Sequence, residues 1–195
     1  MAITLVQEDG SGVAGANTYA LPEDGDAYFE GHLYAGQWKA ATEDTKGAAL
    51  VMATRLVDSQ FQFNGYRANE SQGLQWPRER CPDPDRNVVT TSALSPVLTN
   101  FVPSNAVPMA VMWAVCEMAR ELLIADRTAA PPGEGLSSTQ SSESAHDAAG
   151  GTSTQTTISY SKEDTRPVMS RVAQAMLAKY GALIGSSSTV RLLRA

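Results

Sequence analysis

The sequence predicts a mainly α-helical fold: a small bundle of about four helices, with an extended Pro-rich crossing and a β-hairpin or flexible loop insertion. Three observations lead to this prediction. Apolar residues recur at three- and four-residue spacing in several long segments, which is the pattern of helices with a buried face. Residues 73–103 contain five prolines, so no long helix can form there. Residues 128–157 contain no Lys or Arg and, apart from Leu136, almost no large apolar residue.

Two helices are predicted in the first third of the chain. Pro22 suits a first helical turn, and the acidic residues that follow it favour the positive end of a helix dipole, so we expect a helix over about 22–33. Thr42 is the predicted N-cap of a second helix over about 43–60. This second segment carries an apolar stripe at helical spacing, which predicts that one of its faces is buried.

The third helix is predicted in the most apolar part of the chain. Ser104 or Asn105 can cap it, and we expect it to end within 124–127, ahead of two consecutive prolines. Two apolar stripes run along it, and a helix that is apolar on more than one side is central to a bundle or covered by a neighbouring subunit. The second stripe consists of Val111, Val115, Met118 and Leu122.

The remaining segments are predicted from composition and from helix signals. The Pro-rich crossing is expected to be extended, with one or two short strands such as Val88–Thr91. Residues 128–157 cannot bury enough surface to offset their ordering entropy, which predicts a flexible loop or a hairpin ordered by a partner. A fourth helix is expected over about 165–184, with Thr165 as its N-cap and with Gly181 marking a bend or an early end.

The length of 195 residues is typical of one domain. We therefore expect a single domain over 1–195, with residues 128–161 as a loop or hairpin insertion and residues 186–195 as a C-terminal tail. The run 156–161 alternates in the manner of a strand and is the expected returning arm of the insertion.

Charge is unevenly distributed along the chain. The net charge is −6, but residues 1–157 hold nine Lys/Arg and 19 Asp/Glu, whereas residues 158–195 hold six Lys/Arg and two acids. An acidic body repels a nucleic-acid backbone, because affinity for that backbone comes mainly from cationic contacts. The basic C-terminal part can attract an acidic patch on a partner, or it can be a solvated helix face.

Cellular location is predicted from the cysteines and from the absence of targeting signals. Cys81 and Cys116 lack metal-ligand spacing, which favours a reduced cytosolic compartment, although a single disulfide stays open. The N-terminus has no secretory pattern. The longest apolar stretch, 107–124, contains three charged residues, so no membrane span and no membrane partner are expected.

No motif predicts catalysis. The pattern GxGxxG over Gly10–Gly15 is not followed at once by a helix and a second parallel strand, so we interpret it as a turn and not as a nucleotide site. The segment 83–85 lacks the later residues of a calcium loop. The two histidines, His32 and His146, have no nucleophile arranged with them. We expect no enzyme activity, no catalytic residue, no cofactor and no metal site.

Aromatic and basic residues alternate within 61–67 and 76–78, a pattern that can bind single-stranded nucleic acid by stacking and charge. The favoured interpretation is structural. Phe61, Phe63 and Trp76 are expected to be core anchors, and the four nearby arginines are balanced by four acids. Those acids are Glu70, Glu79, Asp83 and Asp85.

A series of short elements resembles the small head–tail connector proteins of tailed phages, also called adaptor or head-completion proteins. In chain order the elements are Asn17-Thr-Tyr19, Asp26-Ala-Tyr28-Phe29, Trp38, Ala48-Ala-Leu50, Phe63-Asn-Gly65 and Leu74-Gln-Trp76-Pro77-Arg78. Some members of this family are labelled primosomal, DnaT-like single-stranded-DNA-binding proteins. The resemblance covers most of the chain outside 128–157, and its expected structural anchors are Tyr28, Trp38, Trp76, Pro77 and Arg78.

This resemblance implies a structural virion protein, made in the host cytoplasm and placed at the head–tail junction. Copies of the chain would form a ring, commonly of twelve, between the portal protein and a downstream tail or neck protein, and double-stranded DNA would pass through without specific binding. The expected subunit interface is the second stripe of the third helix. The expected portal-docking residues are Val190, Arg191, Leu192, Leu193 and Arg194.

The leading functional prediction is therefore a ring-shaped head–tail adaptor that acts in genome packaging and ejection. The alternative is a single-stranded-DNA-binding replication protein of the primosomal kind. Affinity for oligonucleotides separates the two, because the replication protein needs salt-dependent binding and the adaptor does not.

Overall fold

A computed structural model of the chain describes residues 3–85, 100–129, 138–145, 152–159 and 168–184. The helices in these residues are α1 (Pro22–Phe29), α2 (Gly36–Ala40), α3 (Glu43–Gln60), α4 (Met109–Ile124) and α5 (Arg171–Leu177). The strands in them are β1 (Phe61–Phe63), β2 (Tyr66–Arg67), β3 (Arg78–Glu79), β4 (Ser138–Ala145), β5 (Thr152–Ser159) and β6 (Gly181–Leu183). The chain divides into two compact units. The first comprises Met1–Asp126 with Met169–Ala195, and the second comprises Arg127–Val168.

The structure combines helices with short antiparallel sheets and is not a pure helical bundle. Three two-stranded sheets occur in the described residues, formed by β1 with β6, by β2 with β3 and by β4 with β5. The mainly helical prediction is therefore correct in part. A hairpin was one of the structures expected for the insertion, whereas the sheets formed by β1 with β6 and by β2 with β3 were not predicted.

The predicted second helix is confirmed as α3, with the expected N-cap. The Thr42 hydroxyl accepts a hydrogen bond from the backbone N–H of Thr45 at 3.3 Å. The first helix is shorter than predicted, because α1 ends at Phe29 and the backbone turns so that the His32 N–H donates to the Phe29 carbonyl. The five-residue helix α2 was not predicted.

Helix α4 begins later than the predicted caps. Pro108 is its N-cap residue, and Ser104 and Asn105 lie in a turn closed by a hydrogen bond from the Ala106 N–H to the Pro103 carbonyl. The prediction of Ser104 or Asn105 as the cap is wrong, because the residue before a proline is disfavoured in helical conformation and Val107 therefore separates the turn from the helix.

The predicted fourth helix is replaced in part by a strand. Helix α5 ends at Leu177, and Gly181 then begins β6, which pairs antiparallel with β1. A side chain at Gly181 would collide with the backbone of Gln62, so this close pairing requires glycine. The expected cap Thr165 and the strand Val88–Thr91 lie outside the described residues.

The second unit contains a β-hairpin. Strands β4 and β5 pair antiparallel over eight residue pairs, from Ser138 opposite Ser159 to Ala145 opposite Thr152. Of the two structures expected for the insertion, a hairpin is therefore the one observed. His146 lies outside the described residues.

The core of the first unit lies between α3, α4 and α5. Val111, Val115 and Met118 of α4 are fully buried, as are Leu50 of α3 and Leu177 of α5. Burying aliphatic and aromatic side chains is the main source of stability in such a unit. The core also contains Trp38, Trp76, Phe61 and Phe63.

The segment around Trp76 is irregular, and Arg78 organises it. Its guanidinium group is buried and donates to the backbone carbonyls of Asn64 at 2.8 Å and Gly65 at 2.7 Å. It also donates to the Phe63 carbonyl and to both oxygens of Gln75. Burial lowers the pKa of Arg78. The Arg78 guanidinium group thus supplies hydrogen-bond donors to carbonyl groups in an irregular part of the backbone. From the sequence we had expected the arginines of this segment to be balanced by nearby acidic residues.

A second polar contact fixes the same segment to α3. The Asp58 carboxylate accepts hydrogen bonds from the Tyr19 hydroxyl at 2.8 Å and from the Gln75 N–H at 3.0 Å. The Tyr19 hydroxyl in turn accepts a hydrogen bond from the backbone N–H of Trp76 at 3.0 Å. Burial raises the pKa of Asp58 to about 6, even though these two hydrogen bonds and the charge of Arg78 favour its ionised form.

Arg78→Lys is expected to destabilise the protein, because an ammonium group cannot reach carbonyls that lie on several sides of the guanidinium plane. Each buried carbonyl that loses its donor costs about 1–3 kcal/mol, so we expect the free energy of unfolding to fall by about 3 kcal/mol. Urea denaturation measures this value. Arg55→Lys, at an exposed position of α3, is the matched control and should change it by less than about 0.5 kcal/mol. Equal effects of the two substitutions would contradict the role given to Arg78.

Asp58 should make stability depend on pH. Its folded-state pKa of about 6 lies above 3.8, the ordinary pKa of an aspartate, so between these pH values the folded chain holds a proton that the unfolded chain has lost. The free energy of unfolding should therefore fall as the pH rises from 4 to 6. In Asp58→Asn, which mimics the protonated form, this contribution should be absent. The prediction is wrong if the free energies of unfolding of the wild type and of Asp58→Asn change equally between pH 4 and pH 6.

Candidate protein-interaction surface

Helix α4 presents a short apolar ridge between two grooves in the first unit. The ridge consists of Met109 and Trp113, which are 54% and 41% exposed, and both residues line both grooves. Exposed large apolar residues that cluster beside a concavity are typical of sites where proteins or ligands bind. This ridge and its grooves are the candidate functional site of the described residues.

The first groove, which we call the α4–α5 groove, has a volume of about 600 Å³. It lies between α4, α5 and the end of the Pro-rich crossing. Its apolar lining includes Val102, Pro103, Ala106, Met109, Trp113, Met176 and Tyr180. Asp83, Asp85 and Lys179 also line it. Lys179 and Asp85 form an exposed ion pair of 3.2 Å, so this charged side remains in contact with solvent.

The second groove, which we call the α1–α4 groove, has a volume of about 380 Å³ and lies on the other side of the ridge. Asp24 and Ala27 of α1 line it together with Met112 and Cys116 of α4. The ring of Tyr28 stacks on Trp113, with 5.8 Å between ring centres. This stacking restricts the orientation of the Trp113 ring.

A buried polar cluster holds Tyr28 in place. Its hydroxyl donates to the Glu117 carboxylate at 3.0 Å, and the same carboxylate accepts from Arg120 at 3.1 Å. His32 lies 3.4 Å from it. Burial raises the pKa of the Tyr28 hydroxyl, and the negative charge of Glu117 raises it further, so the hydroxyl stays a donor. Tyr28, which lines the α1–α4 groove and stacks on Trp113, is therefore held in a fixed position.

The predicted subunit-interface residues occupy a different face of α4. Val111, Val115 and Met118 are fully buried, because α3 and α5 of the same chain cover that side, and they offer no surface to a second subunit. Leu122 is half-buried. The exposed large apolar residues of α4 are Met109 and Trp113, which form the ridge, and Ile124 at its C-terminal end. The role of these four residues in a subunit interface stays a prediction, and the exposed residues of the ridge were not singled out by the sequence pattern.

The predicted structural anchors lie inside the first unit. Trp38 and Trp76 are fully buried, Arg78 is nearly so, and Tyr28 is half-buried beneath Trp113. The peptide bond that joins Trp76 to Pro77 is cis. The expected portal-docking residues Val190–Arg194 lie outside the described residues.

The aromatic residues of the alternative nucleic-acid interpretation are core residues. Phe61, Phe63 and Trp76 are each at most 3% exposed, so their rings cannot stack on bases. This confirms the structural interpretation of the 61–78 segment, although Arg78 pairs with carbonyls and not with an acid.

The glycine-rich segment after the first β-prone run is a turn around a buried carboxylate. Glu8, only 1% exposed, accepts hydrogen bonds from the N–H groups of Gly10 and Gly12 at 2.9 Å and of Val13 at 2.7 Å. The backbone donors that could hold a phosphate are thus used by the chain's own side chain. The sequence predicted the turn but not its filling by Glu8.

The described residues contain no group of three or more His, Cys, Asp or Glu side chains placed to hold a metal ion. Among the helices they form, none has the length and apolar character needed to cross a membrane.

Comparison with known proteins identifies one related family. No curated protein and no solved structure matches the chain. A family profile whose description is "Putative DnaT-like ssDNA binding protein" matches residues 3–195. Because the match extends over nearly the whole sequence, the chain belongs to this DnaT-like family.

Proposed function

We propose that this protein is a structural virion subunit without catalytic activity that forms a ring-shaped adaptor between the portal and the tail of a phage. DNA would pass through the channel of this ring. The observation that carries the proposal is the apolar ridge of Met109 and Trp113 between its two grooves. The resemblance of the sequence to head–tail connector proteins supplies the biological setting.

The ridge has the properties of a protein-binding anchor. Tryptophan contributes strongly to protein interfaces when its ring enters a pocket of the partner, and Trp113 is held by Tyr28 before any partner arrives. Pre-positioning lowers the entropy that binding costs. A ridge on one copy and a different surface on the next form a heterologous interface, and such interfaces close into rings.

Charge supports a channel that does not hold DNA tightly. Residues 3–85 contain 13 Asp/Glu and six Lys/Arg, and one of these six, Arg78, is buried. A surface of this sign repels phosphates. DNA could therefore move past such a ring without being retained.

The remaining parts of the proposal concern partners. Residues Val190–Arg194 would contact the portal protein, and the ring would be a dodecamer of identical subunits. The hairpin of β4 and β5 would reach a neighbouring subunit or the next tail or neck component. A two-stranded hairpin is marginally stable alone in water, which favours a role in which a partner supports it.

The alternative is a single-stranded-DNA-binding replication protein, and the description of the family, "Putative DnaT-like ssDNA binding protein", supports the DNA-binding part of it. One observation favours it. Tyr66 and Arg67, the two residues of β2, are both exposed; an exposed tyrosine can stack on a base and an exposed arginine can contact a phosphate, although successive strand residues point to opposite faces. This pair is small compared with the grooves of α4.

Trp113→Asp should impair assembly without unfolding the chain, because it places a charge in the apolar contact. We expect at least a tenfold loss of affinity for portal particles or for self-assembly, which corresponds to about 1.4 kcal/mol. Sedimentation of portal co-assemblies measures this loss. Leu33→Asp is the matched control, since Leu33 is 89% exposed and lies outside both grooves. Unimpaired assembly of Trp113→Asp, with the helix content of the wild type, would contradict the proposal.

Oligonucleotide binding separates the two functions. The adaptor proposal predicts no micromolar binding of a labelled single strand at physiological salt, and little change in that result for Tyr66→Ala. Fluorescence anisotropy at several salt concentrations gives the affinity and its salt dependence. Micromolar binding that weakens steeply with salt and is lost in Tyr66→Ala would establish the replication protein instead.

A further inference from the structure

We propose that the hairpin of β4 and β5 joins copies of this chain, with β5 of one copy paired edge to edge with β4 of the next. The proposal rests on the pairing and length of the two strands, on their composition and on the geometry of a two-stranded sheet. Pairing between copies does not depend on the adaptor role. Its closure into a ring does, and that consequence rests on the proposed function.

The backbone of the hairpin is long and regular. Strands β4 and β5 pair over eight consecutive positions, and their register runs from Ser138 to Ala145 without a skipped residue. Within the described part of the chain this sheet has two strands, so the outer side of each strand is a sheet edge. Such an edge presents a row of backbone N–H and C=O groups that can pair with another strand.

The sequence of the hairpin does not protect these edges. Proteins keep sheet edges from pairing by means of lysines, prolines, bulges or short strands. Strands β4 and β5 contain no Lys, Arg, Pro or Gly, and Glu143 is their only charged residue. They also contain five threonines, a residue favoured in strands. Segments of low charge without Pro or Gly are those that stack strand on strand in β-assemblies, so this composition favours pairing with a further strand.

Apolar packing contributes little to the hairpin. Ile158 is the only large apolar residue of the two strands, and it is 52% exposed. A two-stranded hairpin needs at least a third strand or a packed apolar face to be stable in water. Because the composition provides no such face, backbone hydrogen bonds to a further strand are the interaction that this hairpin is suited to make.

A second copy of the hairpin fits both edges. Strands β4 and β5 are antiparallel and equally long, so β5 of one copy beside β4 of the next continues the same antiparallel pattern. Each copy then uses one edge in each direction, which is a head-to-tail contact that repeats from copy to copy. One carboxylate in each hairpin leaves little charge repulsion between neighbours.

In the proposed ring, this contact would close into a barrel with two strands from each subunit. Closure removes every sheet edge, and large barrels enclose a water-filled channel. A barrel of Ser, Thr and Gln without Lys or Arg would not hold phosphates, in agreement with a channel through which DNA moves. The hairpin would then be a second contact between subunits, in addition to the ridge of α4.

Disulfide trapping between single-cysteine variants tests the strand pairing. Ser141→Cys places a thiol on β4, and Thr156→Cys places one on β5 at the same level of the hairpin. We expect these two variants, mixed at a concentration where light scattering detects oligomers, to form a disulfide between different copies. Thr154→Cys and Ile158→Cys, each two positions away on β5, test the neighbouring registers in the same way.

The controls separate pairing from random collision. Ser141→Cys alone should form few homodimers, because β4 does not meet β4 in a head-to-tail contact. Ser59→Cys, at an exposed position of α3, measures the collision rate. The native Cys81 and Cys116 are at most 1% exposed and should not react. In one register, the mixed disulfide should form at least tenfold faster than in either control.

Two double variants of the full chain test the edges themselves. Thr154→Lys with Thr156→Lys should weaken self-association at least tenfold at low salt, because lysines on a sheet edge oppose strand addition. The loss should shrink at high salt, which loss of the hairpin fold would not explain. Thr154→Val with Thr156→Val is the matched control, since valine is favoured in strands and carries no charge, and it should not weaken association.

Four results would overturn the proposal. They are a chain that stays monomeric up to millimolar concentration, mixed disulfides no faster than collision in every register, unchanged association of the lysine variant, and faster homodimers of Thr156→Cys than mixed dimers. The last result would place β5 against β5, a two-fold contact that does not propagate. If Trp113→Asp abolishes assembly on the portal while the lysine variant does not, the hairpin proposal fails and the adaptor stands. If hairpins pair but no collar forms on the portal, the adaptor fails alone.

Discussion

Helix α4 carries more apolar surface than one neighbouring helix can cover, and the rest of the first unit is arranged around that constraint. Helices α3 and α5 bury the side that contains Val115 and Met118. On the side that contains Trp113, the ring of Tyr28 stacks on the indole and Trp113 remains 41% exposed. The same property that creates the core therefore leaves an apolar ridge at the surface, which a protein partner can cover.

Buried polar side chains hold the irregular parts of this unit together. Arg78 satisfies carbonyls of the turn after β1, and Asp58 ties the next segment to α3. Glu8 fills the glycine-rich turn, and Glu117 fixes Tyr28 below the ridge. Arg78, Asp58 and Glu8 form hydrogen bonds to backbone groups that regular secondary structure would otherwise satisfy, whereas Glu117 bonds to the side chains of Tyr28 and Arg120. The position of the candidate surface thus depends on a few buried charges as well as on apolar packing.

The parts of the fold that sequence predicts well are those that local pattern determines. The stripe and cap of α3 depend on neighbouring residues, so the boundaries from Glu43 to Gln60 could be predicted. Strand β6 could not, because its conformation depends on pairing with β1, which is far away in sequence. The ridge could not be predicted either, since Trp113 and Val115 belong to the same apolar helix and only the positions of α3 and α5 decide which one is exposed.

We propose that the ridge of α4 is an assembly surface of a ring-forming subunit. Electron microscopy of this chain assembled with portal particles tests this most directly. We expect a collar of identical subunits on the portal in which Trp113 is buried against the neighbouring subunit. Portal particles that carry no collar, or a collar in which Trp113 remains exposed to solvent, would contradict it.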